Sequence, residues 1–150
     1  MTAEERSRNM AAIHAADTKP EVYLRKLLFH RGYRYRKNWK KIKGRPDAFI
    51  LRYHVALFVN GCFWHAHNGC AAFRVPGTNT EYWNAKFARN KKRDQDTLDA
   101  LHSMGIRTVT VWECAISEMR KDPAYREVVL DTLDAFFRQG PVHIDIEALP

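Results

Sequence analysis

Two thiols, two imidazoles and two large aromatics fall within Gly61-Cys62-Phe63-Trp64-His65-Ala66-His67-Asn68-Gly69-Cys70, directly after an apolar run. Cys62, His67 and Cys70 are spaced Cys-x4-His-x2-Cys, and the third cysteine, Cys114, closes a strand-like segment far along the chain. Three thiolates and one imidazole make the closed tetrahedral donor set of a structural zinc site. Three cysteines cannot all pair with one another, and an intracellular compartment keeps thiols reduced, so metal binding or plain burial remain open to them. Zinc here would be worth on the order of 10 kcal/mol to folding, enough to pin an irregular loop. A closed site offers substrate no coordination position, so this zinc would not be the catalyst and His65 is spare.

A second chemistry lies in the carboxylates. Asp47 in Gly44-Arg45-Pro46-Asp47 leads into an apolar strand, and a carboxylate placed there can hold Mg²⁺, a hard cation that keeps waters and can activate one of them. A Pro-Asp pair is also a common turn, so its company matters. Glu21 shares a helix face with Leu24 and Leu28, where it is a cap or a ligand, and Asp94 shares one with Leu98 and Leu101, where it is a site residue or a solvated charge. Phe63, Trp64 and Trp83 have two uses open to them, packing on a sheet or wedging between base steps of a duplex.

The elements that must position these groups are legible in outline. Thr18-Lys19-Pro20-Glu21 has the form of a capping box and predicts a helix to about Arg31, stopped by Gly32. Tyr33 and Tyr35 alternate with arginines in strand fashion, and Ala48 to Leu51 and Val55 to Val59 predict a hairpin. Thr78-Asn79-Thr80-Glu81 predicts a second capping box and a helix to Ser103 with one kink. A strand over Ile106 to Cys114 and a last helix from Asp122-Pro123 to Gly140 complete the pattern. The expected fold class is α/β, a small mixed sheet flanked by helices.

With 150 residues, 45% of them hydrophobic, the chain suits one domain, 1–150. Its formal charge of +8 is uneven: residues 115–150 carry −3, so residues 1–114 carry +11. Arg34, Arg36, Lys37, Lys40, Lys41, Lys43 and Arg45 occupy twelve residues without an acid, and five more bases lie between Lys86 and Arg93. Such stripes attract polyanions, nucleic acid first. No apolar stretch approaches the length of a membrane span, and the polar N-terminus is no signal peptide, so a cytoplasmic protein is expected.

Taken together, Arg6-Ser7-Arg8-Asn9-Met10, Glu21, Gly44-Arg45-Pro46-Asp47, Gly61-Cys62-Phe63-Trp64-His65, Thr80-Glu81-Tyr82-Trp83, Arg93-Asp94 and Val111-Trp112-Glu113-Cys114 resemble the very short patch repair (Vsr) endonucleases. The Gly-Cys-Phe-Trp-His and Trp-Glu-Cys elements are the specific ones. The resemblance implies a bacterial enzyme of PD-(D/E)xK (restriction-endonuclease-like) fold with a structural zinc site. Its partner would be double-stranded DNA, nicked 5′ to the thymine of a T:G mismatch by a monomer, with other mismatch-repair proteins acting alongside. It further implies that Asp47 and the main-chain carbonyl of Val59 bind catalytic Mg²⁺ and that His65 is the general base or its orienter. Glu21 and Asp94 would support metal-bound water, and Cys62, His67, Cys70 and Cys114 would hold structural Zn²⁺. Phe63, Trp64 and Trp83 would intercalate, while Arg6, Arg8 and Arg45 contact the DNA backbone, residues 1–17 serving as a clamp.

Two positions depart from the family pattern. Asn60 stands where the best-known members carry a second histidine beside the site; an amide exchanges hydrogen bonds but not protons at neutral pH, so more acid-base work falls on His65. The spacing from His67 to Cys70 is one residue longer, a difference that Asn68-Gly69 can absorb. Two alternatives fit many of the same residues: a restriction or homing nuclease without mismatch specificity, and a non-catalytic zinc-stapled DNA-binding module.

Overall fold

Alternation of side chains along the two central strands decides the layering. In the computed structural model, which describes residues 2–4 and 16–148, β1 (Ala48–Ile50), β2 (Val55–Asn60), β3 (Arg107–Trp112) and β4 (His143–Ile146) form one sheet in the order β1-β2-β3-β4. The first pair is antiparallel and the other two are parallel, so the sheet is mixed, as expected. A 3-10 turn, Leu51–Tyr53, joins β1 to β2 and ends at His54 in the left-handed region.

Val55, Leu57, Val109 and Val111 point to one face, where Leu24 and Leu28 of α1 (Lys19–His30), Ile116 and Met119 of α3 (Glu113–Lys121) and Leu133 and Phe137 of α4 (Pro123–Arg138) close the main core. Ala56 and Phe58 point to the other face, against Leu101 of α2 (Thr80–Ser103) and against Trp39 and Ile42 of the basic loop. Parallel strands need a crossover, and α2 supplies it between β2 and β3. α2 is therefore the lid of the sheet's second face. Its inward positions Trp83, Phe87, Asn90, Asp94, Leu98 and Leu101 follow the three-to-four spacing of one helix side.

Several sequence expectations need correction. α2 begins at Thr80 behind Asn79, whose φ is 56° and whose side chain makes no cap, so the second capping box does not form. The helix runs for 24 residues, to Ser103, where the sequence placed its end. Tyr33 to Arg36 is not a strand; one bridge from Arg36 to Phe49 is all that pairs it with the sheet. The strand expected to end at Cys114 stops at Trp112, and Cys114 sits in the first turn of α3, a helix the sequence did not announce because Trp112 at its start offers no capping side chain. β4 was also unannounced.

Candidate active site and metal centre

The antiparallel β1–β2 register sets Asp47, one residue before β1, beside the carboxyl end of β2. There the Val59 N–H donates to Asp47 Oδ2 at 2.6 Å. Burial, and then the nearby Glu21 carboxylate, push the Asp47 carboxyl up to about 7, against the pull of the Val59 N–H and Arg25. Both carboxyl groups line the same cleft. Glu21 doubles as a cap, its Oε2 accepting from the main chain of Asp17 at 2.8 Å and of Thr18 at 3.3 Å. The cap reading of Glu21 is thus observed, and its carboxylate also faces the cleft.

Across the same cleft, of 360 Å³, stand His65, Asp94, Arg93, Arg45 and Asn60. Asp94 Oδ2 lies 2.5 Å from His65 Nδ1; with the proton on Nδ1, Nε2 is the bare nitrogen, ready to accept one. Asn60 sits at the last pair of the β2–β3 register, opposite Trp112. The cleft thus holds a pair of hard-oxygen donors suited to a divalent cation and an oriented imidazole. Gly44 makes the close approach of the basic loop to α2: its φ is 84°, and a Cβ there would stand 2.4 Å from Thr97 Cγ2.

The four donor side chains come together as the spacing suggested. One donor atom from each of Cys62, His67, Cys70 and Cys114 lies within 4.8 Å of the others, close to the roughly 3.5–4 Å that a tetrahedral ion imposes on its ligands. His67 Nδ1 faces Cys114 Sγ at 3.7 Å, while Nε2 is bonded to the Glu147 carboxylate. A carboxylate behind a ligating imidazole fixes its tautomer and orientation. Burial raises the Cys62 and Cys114 thiols, so a bound cation would have to displace their protons. The Trp112 ring stacks on His67 at 3.9 Å with 4° between planes. Gly69, at φ 73°, turns the chain between His67 and Cys70.

Phe63, Trp64 and Trp83 meet as well, in a cluster with Phe87. Phe63 touches Trp64 edge-on at 5.0 Å and Trp83 at 5.4 Å between centroids. Trp64 and Trp83 are only 8% and 9% exposed, with Lys86 Nζ 5.3 Å above the Trp64 ring; Phe63 is half-buried. The loop is stitched to α2 by Asn90, which donates to the Trp64 carbonyl at 2.9 Å and accepts from Arg93 at 3.0 Å. Arg6 and Arg8 lie outside the described residues.

Sequence reasoning missed Arg25, Asn90, Trp112 and Glu147 as site residues. Asn90, Trp112 and Glu147 reach the site by tertiary contact with the Cys62–Cys70 loop, while the i,i+4 spacing of Glu21 and Arg25 was the one local signal that could have marked Arg25. Among the described residues no helix is long and apolar enough to cross a membrane.

With this geometry in place, comparison with known proteins becomes informative. The family profile described as DNA mismatch endonuclease Vsr matches residues 1–71. A type II nicking enzyme of Neisseria meningitidis, V.NmeAIP, is 39% identical over 132 residues, covering 85% of this chain and 94% of its own. The DNA mismatch endonuclease Vsr of Escherichia coli is 40% identical over 116 residues, covering 77% and 74%. A type II nicking enzyme of Xanthomonas oryzae, V.XorIIP, is 36% identical over 131 residues, covering 87% and 96%.

Proposed function

The chain belongs to the Vsr endonuclease family, and from that premise we propose that it hydrolyses one phosphodiester of duplex DNA, 5′ to the thymine of a T:G mismatch. One observation carries the reading: the Asp47–Glu21 carboxylate pair and the His65–Asp94 pair face a single cleft beside a strongly basic loop. The hairpin that presents Asp47 and the first helix that presents Glu21 support relating the fold to the PD-(D/E)xK nucleases.

Asp47, with the Val59 carbonyl, would hold Mg²⁺, which supplies a more acidic water and a counter-charge for phosphate. Glu21 orders the water shell from α1. His65 Nε2 takes the proton of the attacking water, and Asp94 holds the ring in the tautomer that allows this and balances the imidazolium that results. Arg45, on the rim, holds the scissile phosphate, and the basic run from Arg34 places the backbone without choosing sequence. Asn60 contributes hydrogen bonding alone. Cys62, His67, Cys70 and Cys114 would hold Zn²⁺ as a structural ion, and so would fix the backbone from which His65 and the aromatics project.

Phe63, the most accessible of the three rings, enters the base stack with Trp64 and Trp83 behind it; unstacking a mismatched step costs less than a paired one, which favours mismatched sites. Cutting one strand needs one active site, so a monomer suffices. Asp47→Ala should abolish nicking while DNA binding persists; retained cleavage would remove Asp47 as the metal ligand. A chain that binds DNA but never cuts it, whatever the mismatch or divalent cation, would instead be the zinc-stapled binding module.

A further inference from the structure

Arg25 has no part in the chemistry above, yet it is the cation most deeply set in the site. It lies one helical turn beyond Glu21 and is 5% exposed. Its Nη1 donates to the main-chain carbonyl of Asp47 at 3.3 Å and stands 3.7 Å from Glu21 Oε2. Nη2 bonds to Asp17 Oδ1, which also accepts from Asn38 Nδ2 of the basic loop at 3.1 Å. The Tyr35 hydroxyl donates to Arg25's own carbonyl at 3.1 Å, so the main chain beneath the guanidinium is held as well.

One side chain therefore ties the start of α1, the basic loop and the Asp47 segment together. A buried guanidinium is costly unless it is paired, and its planar fork reaches several acceptors at once where an ammonium is a single point charge. Glu21 and Asp47 repel each other when both are ionised, and among the described residues Arg25 is the basic side chain that forms an ion pair with Glu21.

We propose that Arg25 is a positioning residue for the divalent cation: it fixes the Asp47 main chain and offsets the Glu21–Asp47 repulsion, holding both carboxylates within one cation's reach before the ion arrives. This rests on Asp47 being a cation ligand, as proposed above, and the test separates the two ideas.

The probe is Mn²⁺ alone, added to the DNA-free, zinc-loaded protein and followed by loss of the free-ion paramagnetic resonance signal. Asp47→Ala should lose the binding; if it keeps parental affinity, the ligand assignment falls and this inference with it. Arg25→Met should bind Mn²⁺ about tenfold more weakly or worse, the usual effect of removing a group that orients a metal ligand, with parental zinc content and circular dichroism. Arg25→Lys should recover part of that loss, because charge returns without the fork. In nicking assays the Arg25→Met deficit should narrow as Mg²⁺ approaches saturation, whereas a folding defect would lower the rate equally at every concentration. Parental Mn²⁺ affinity in Arg25→Met, while Asp47→Ala has lost it, overturns the inference. Should Arg25→Met not fold, Asp17→Asn removes only the far anchor and should weaken Mn²⁺ in the same direction by less. Unchanged affinity in both Asp17→Asn and Arg25→Lys would then overturn it.

Discussion

The crowded decapeptide divides its work by residue. Cys62, His67 and Cys70 join Cys114 in the donor cluster, His65 faces the cleft, and Phe63 and Trp64 join the aromatics of α2. His65→Ala should cost about 10²–10⁴-fold in nicking rate, the range for losing a general base. Asp94→Asn should cost less, because the imidazole keeps its place and loses only its orienting charge; equal losses in single-turnover assays would mean that Asp94 does more than orient. Asp47 gives a pH signature. Its folded value is raised to about 7, above the roughly 3.9 of an unfolded chain. Its contribution to stability is therefore complete below pH 4 and is lost as pH rises through 7. Without added Mg²⁺, Asp47→Asn should gain in melting temperature over the parent between pH 5 and pH 8, and Mg²⁺ should close the gap. A difference constant across that range in calorimetry would contradict the buried carboxyl pair.

At the scale of elements, what the sequence disclosed was whatever local spacing encodes. The helix behind Thr18, the hairpin that delivers Asp47 and the inner face of α2 were all legible from periodicity and caps. α3 and β4 were not: α3 starts without a capping side chain, and His143–Ile146 is four residues of mixed polarity that become a strand only against β3. For the same reason the cysteines could be grouped from sequence while Glu147, which orients His67 from just beyond β4, could not. Cys114→Ser removes the one ligand carried by another element. It should unfold the protein or strip its metal, since a structural zinc is worth on the order of 10 kcal/mol; a metal-free variant as stable as the parent would refute the staple. Gly44 tests how α2 seats the basic loop. Gly44→Ala meets Thr97 and a left-handed φ together, so a loss of about 1–3 kcal/mol is expected in denaturant melts. Adding Thr97→Ala should return the steric part and leave the backbone strain; no recovery would mean that the contact is not the cause.

Across the whole molecule the charge is sorted. Net charge is +11 over residues 1–114 and −3 over residues 115–150, while the cleft opens between the basic loop and α2. DNA would then lie across the cleft against the basic loop and α2, with its backbone held by counter-ion release and its mismatch sensed by the ease of unstacking. Cys62, Phe63, Trp64, His65, His67 and Cys70 share one loop, and Glu21, Arg25 and Asp47 come from α1 and the start of the β1–β2 hairpin; the site is the seam between these parts. The most direct measurement is the nicking of matched duplexes that differ only in a T:G or a T:A pair, in Mg²⁺, with the cut mapped on a sequencing gel. A single nick 5′ to the mismatched thymine, absent from the T:A duplex and from the Asp47→Ala protein, is the expected result. Equal cutting of both duplexes would contradict it.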